Sequence, residues 1–156
     1  ACPCGNQASP GSHQGCRHAG GRGARLRIVG WPSVAADGLR FDVVDAPANT
    51  FAALISGSVR LAQSGPCTGA GLTSPMLDGL RCVGGNVLRH GVRATDPQGR
   101  VGVSTPAWGQ GTGLLAAAGF AVGQMRHFQV IYRTNPSTGC GSGQGSTQAA
   151  SRVFAP

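Results

Sequence analysis

Apolar and polar side chains alternate at period two in several short stretches of this chain, most cleanly at 125–133. There Phe128, Val130 and Tyr132 fall on one face and His127, Gln129 and Arg133 on the other. Gly123 lies just before the run, and a cluster of breakers at 135–139 followed by Cys140 ends it. A strand with one apolar face needs a second layer to bury it. The same alternation at 24–31 sets Leu26 and Ile28 against Arg25 and Arg27; at 39–45 it turns Leu39, Phe41 and Val43 inward and Arg40 and Asp42 outward. Residues 45–49 read as a turn. Further strands are predicted at 50–56 (running toward 59–61), 87–95, 100–104 and 148–155, with Asp96-Pro97-Gln98-Gly99 as a hairpin signal. Loops are expected at 63–75, which contains Cys67, and in the Gly/Ser/Thr/Gln segment 138–147, and residues 113–119 read as a loop rather than a single helical turn. About eight short strands with turn chemistry between them predict an all-β fold, a two-sheet β-sandwich of Greek-key or jelly-roll type. It would occupy 24–156, behind an irregular Gly/Arg-rich arm at 1–23 that only cysteines can tie down.

Composition supports this. The 156 residues fit one domain, long enough to bury a core. The 27 glycines and 5% aromatics favour short strands and loops over helices. All 13 basic residues are arginine and all 5 acids are aspartate, so the helix formers Lys and Glu are both missing. The net charge of +8 favours anionic surfaces as partners. Six cysteines point to an oxidising compartment. Ala1 suits a residue exposed by signal cleavage, so the expected location is secreted or at the cell surface. No stretch approaches the ~20 apolar residues of a membrane span.

Four blocks carry a resemblance: Cys-Pro-Cys-Gly-Asn at 2–6, Asp-Gly-Leu-Arg-Cys-Val-Gly-Gly at 78–85, Arg-His-Phe-Gln-Val-Ile-Tyr-Arg at 126–133, and Cys140 with its Gly/Gln/Ser sequel. In this order the chain resembles a poorly characterised group of secreted bacterial proteins with CPCGN, GDGLRCxGG and YQVWYRD blocks. These often form a C-terminal module of larger surface proteins. The resemblance implies an extracellular β-rich module and brings no activity with it. The chain has Leu77, Ile131 and Thr134 where the group often has Gly, an aromatic and Asp.

The six cysteines allow 15 pairings. Cys2 and Cys4 are too close to pair with each other, and Cys16 is the nearest partner for one of them. Cys82 with Cys140 is the favoured pair, closing a loop of about 58 residues for roughly 4 kcal/mol in the chain-entropy model. Cys67 would then hold the arm against the body. The competing choice, Cys67 with Cys82, closes a shorter loop for roughly 3 kcal/mol. Cys2, Cys4, His13, Cys16 and His18 could together supply zinc ligands, but their spacing matches no regular template. With oxidation favoured, neither a metal nor another cofactor is expected.

Catalytic chemistry has little support in the sequence. There is no Gly-x-Ser-x-Gly elbow, and Asp78 and Asp96 sit at turns, where Asp is structural. The expectation is therefore a secreted structural or adhesive surface module rather than an enzyme. It would self-associate into a homo-oligomer, filament or surface layer through edge strands or a donated 1–23 arm. The alternative is a carbohydrate- or polyanion-binding module of a larger extracellular system, with envelope glycan as one partner. Candidate polyanion contacts are Arg17, Arg22, Arg25 and Arg27. Trp31 and Trp108 are candidate core anchors, and Trp108, in a Gly-rich loop, is also a candidate sugar-stacking platform. Nucleic acid is not the expected partner, because the basic segment holds no stacking aromatic before Trp31.

Overall fold

A computed structural model describes residues 2–61, 74–76, 78–134 and 143–156. Cys67, Cys140, most of the 63–75 loop and the breakers at 135–139 lie outside them. The fold is nearly all β. Its strands are β1 (Arg25–Val29), β2 (Arg40–Val44), β3 (Phe51–Gly57), β4 (Val59–Arg60), β5 (Ser74–Met76), β6 (Gly79–Arg81), β7 (Val83–Gly84), β8 (Leu88–Ala94), β9 (Met125–Arg133), β10 (Gln144–Ser146) and β11 (Ala150–Val153). One short helix, α1 (Leu114–Ala117), precedes β9.

The main sheet has five strands, ordered β10-β9-β3-β8, with β11 also paired to β9. β9 is its axis: β3 lies along one side, and β10 and β11 follow each other along the other. Among the described residues three two-stranded ribbons, β1–β2, β4–β7 and β5–β6, accompany it, and every pairing between named strands is antiparallel. The period-two pattern explains the larger core. Phe128, Val130 and Tyr132 of β9 and Ala52 and Leu54 of β3 meet Leu26, Phe41 and Val43 of the β1–β2 ribbon. Phe41 and Phe128 pack with ring centroids 4.6 Å apart. Burying each such side chain is worth about 1.5–3 kcal/mol.

The other face of β9 departs from the sequence expectation. His127 and Gln129, expected to face outward, are buried. A second core of Cys2, Cys16, Ile55, Leu80, Cys82, Val83 and Ala149 covers that side. Gln129 fits there because its amide is satisfied: Nε2 donates to the carbonyls of Leu80 (2.7 Å) and Thr147 (2.8 Å), and Oε1 accepts from Cys82 N (2.9 Å).

Three local expectations change as well. The Asp96–Gly99 turn forms, with Gly99 N donating to Asp96 O at 2.9 Å, but no hairpin follows. Val101 instead bridges to Val43 of β2, where its side chain is fully buried. Gly99 has φ 71, and a Cβ there would collide with the Ala46 carbonyl. Residues 114–117 are helical, not a loop, because Asp37 caps them from afar: its carboxylate accepts from Leu115 N and Ala116 N, both at 3.0 Å. Within the Gly/Ser/Thr loop expected near 138–147, Gln144–Ser146 pairs with β9 as β10.

The arm is docked on its own chain. Cys2 and Cys16 are disulfide-bonded and buried. Asn6 Nδ2 donates to Asp78 O at 3.1 Å, and Gly15 N to Ala24 O at 2.9 Å. Cys4 and Cys82 are each disulfide-bonded too, though not to each other, and no described cysteine is free, which removes these thiols from the metal constellation.

Candidate polyanion-binding face

β1 projects alternate side chains to solvent because its other face is committed to the core: Leu26 is buried, while Arg25, Arg27 and Val29 are exposed. Successive exposed positions on a strand lie about 7 Å apart. The register with β2 sets Arg25 opposite Val44, Arg27 opposite Asp42 and Val29 opposite Arg40. Asp42 is claimed by Arg40, whose Nη2 donates to Asp42 Oδ2 at 3.0 Å. Asp42 is thus a buried member of an ion pair, where the alternation alone would expose it.

Of the four arginines singled out in the sequence, the structure brings Arg22, Arg25 and Arg27 to the β1–β2 ribbon. Arg22 reaches Asp45, at the end of β2, with a 3.2 Å ion pair and is 73% exposed, a geometry worth at most about 1 kcal/mol. His18 Nε2 meets the Asp45 carbonyl at 2.9 Å and pins the 17–23 turn beside it. Arg17 is exposed at the base of that turn, bridged to Gly23.

Of the two tryptophans expected as core anchors, one is buried and one is not. Trp108 is fully buried, with Nε1 donating to Gly91 O at 3.0 Å and its own carbonyl accepting from Phe41 N at 2.9 Å. It is a core anchor, and the sugar-stacking role is withdrawn. Trp31 is the exposed one, at 72%, just past the end of β1. Its place in the outward series 25, 27, 29, 31 was the signal available in the sequence.

The acids are engaged elsewhere. Asp37 caps α1, Asp45 meets Arg22, and Asp96 meets Arg100 at 3.0 Å while accepting from Gln98 N and Arg100 N. Burial works to raise the Asp96 pKa, but the hydrogen bonds from Arg100 and Gln98 and the Arg100 charge hold it below the ordinary value. Asp78 is buried. Among the described residues no carboxylate forms an ion pair with Arg25 or Arg27.

Two Ser–His pairs lie within hydrogen-bond reach: Ser56 Oγ with His90 Nε2 at 2.8 Å, and Ser151 Oγ with His127 Nδ1 at 2.7 Å. Burial, then the charge of Arg126, lowers the His90 pKa to about 4. Burial, then Arg60 and Arg126, lowers that of His127. Both rings are thereby weakened as bases, and Ser56 is fully buried. The pairs tie β3 to β8 and β9 to β11. Among the described residues no three His, Cys, Asp or Glu cluster as a metal site, and no helix is long and apolar enough to cross a membrane. Comparison with known proteins returned no match: no family model, no curated protein and no solved structure.

Proposed function

We propose that the protein is a secreted, disulfide-stapled β module that binds anionic polymer, such as an acidic envelope glycan, without catalysis. In this reading the β1–β2 ribbon, extended through its bridges to Val101 and Trp108, is the second layer of a β-sandwich and carries the binding face. One observation carries the proposal. Arg25 and Arg27 stand side by side, exposed, with the only nearby β2 acid already bound to Arg40 and with exposed Trp31 beyond them. Guanidinium groups at this spacing suit repeated carboxylates or sulfates, and an exposed indole adds an apolar surface for a sugar ring.

Retention on immobilised heparin tests it. Arg25→Glu/Arg27→Glu should elute at much lower salt than the parent. Arg81→Glu/Arg133→Glu, with the same change in net charge on other strands, should elute close to it. Equal losses in both would show that net charge alone governs retention and would sink the proposal.

A second reading, self-association as a structural or adhesive surface subunit, is favoured by the free edge of the main sheet. β8 ends the sheet order, and the apolar Phe51 (62% exposed) and Val92 (39%) lie open beside it. The docked arm makes the edge the better contact. Against it, two residues, His90 and Gly91, bulge opposite Leu54, and Gly91 has φ 95, devices that blunt edge pairing. Sedimentation over a hundredfold concentration range tests this reading: a mass fixed at one chain excludes it.

A further inference from the structure

A cleft of about 420 Å³ opens between the β8 edge, the Trp108–Thr112 loop and α1. That volume lies within the range of small-molecule sites. Its apolar lining comes from Leu88, Trp108, Leu114 and Ala118, and its polar lining from Arg89, His90, Arg93 and Thr112. Among the described residues no carboxylate lines it. Arg93 donates from Nη1 to the Val92 carbonyl, while its buried Nε has no hydrogen-bond partner among the described residues. His90, held neutral by burial and by the charge of Arg126, adds no positive charge of its own and leaves the cationic character to the arginines. The walls are well fixed: Trp108 is held by Gly91, and α1 by Asp37. Apolar walls with two arginines and no acid complement one kind of occupant, an apolar body ending in a single anionic group.

We propose that this cleft binds a small amphipathic anion, its carboxylate, sulfonate or phosphate held by Arg89 and Arg93 and its apolar body lying against Leu88, Ala117 and Ala118, above the buried Trp108. The site is separate from the β1–β2 face and stands whether or not that face binds polymer.

The test uses anilinonaphthalene sulfonate as probe on the oxidised full chain carrying Trp31→Phe, so that Trp108 is the only tryptophan left. Expected are saturable binding of one dye per chain, quenching of Trp108 emission, and displacement by decanoate but not by sodium sulfate at equal ionic strength. Arg89→Gln/Arg93→Gln should weaken binding about tenfold or more, as expected for losing charge-assisted bonds. Ala117→Leu, which fills the cleft from the exposed side of α1, should weaken it similarly. Arg25→Gln/Arg27→Gln should leave it unchanged. Circular dichroism matching the parent shows that each variant is folded; if one is not, the other cleft variant decides. Absence of saturable binding, indifference to the folded cleft variants, or displacement by sulfate alone would overturn the proposal.

Discussion

Replacing Gln129 by Leu tests whether the second face of β9 is interior. The side chain keeps its approximate size but loses all three hydrogen bonds. The Leu80 carbonyl retains a partner, since Ser146 Oγ also donates to it at 2.9 Å. The Thr147 carbonyl and the Cys82 amide lose the partners that Gln129 supplies. Each buried group left unsatisfied costs about 1–3 kcal/mol. Against that stands the favourable burial of an apolar side chain, about 1.5–3 kcal/mol. From the middle of these ranges the net expectation is a loss of about 2 kcal/mol, a large share of the ~5–15 kcal/mol typical of a domain. Equilibrium unfolding in guanidinium with disulfides intact reads it as a lower midpoint at unchanged slope. Faster exchange of the Cys82 amide proton should accompany it. The comparison is Arg133→Leu, exposed at the end of the same strand, expected within about 0.5 kcal/mol of the parent. If Gln129→Leu is as stable as the parent, the two-faced burial of β9 is wrong.

Other consequences follow from the same contacts. Asp37→Ala removes a cap on two amides of α1 and should cost about 1–2 kcal/mol in the same unfolding assay. Cys2→Ala/Cys16→Ala opens a loop of sequence separation 14 and should cost about 3 kcal/mol. His90 has a folded pKa of about 4 against an ordinary 6.5, so its contribution to stability is complete above pH 6.5 and lost as pH falls toward 4. Unfolding midpoints across that window should fall with pH, less so in His90→Gln, and NMR titration of the ring should show a midpoint near 4.

Where one local period decided the outcome, the sequence could be read closely. β9 spans the residues its alternation marks, and Leu39, Phe41 and Val43 are fully buried as that pattern demands. It failed where a distant group intervened. Leu114–Ala117 favour a helix by composition, but four residues between glycines do not decide one; the deciding cap is Asp37, 78 and 79 residues away from the amides it holds. His127 and Gln129 look like solvent residues until the 79–84 ribbons and the cysteine-tied arm are folded over them. Trp108 sits among glycines that suggest mobility, yet its indole N–H finds Gly91 and its ring completes the main core. For the candidate site, Arg22, Arg25 and Arg27 were legible as a cluster. The exposure of Trp31 and the engagement of Asp42 by Arg40 required the β1–β2 register.

The most direct measurement is the salt dependence of binding to a defined heparin fragment, for the parent and for Arg25→Gln/Arg27→Gln. If those two guanidinium groups displace counterions from the polymer, the log–log slope of the variant should be shallower by about 1–2. An unchanged slope, or parent binding that does not weaken with salt, would contradict the account.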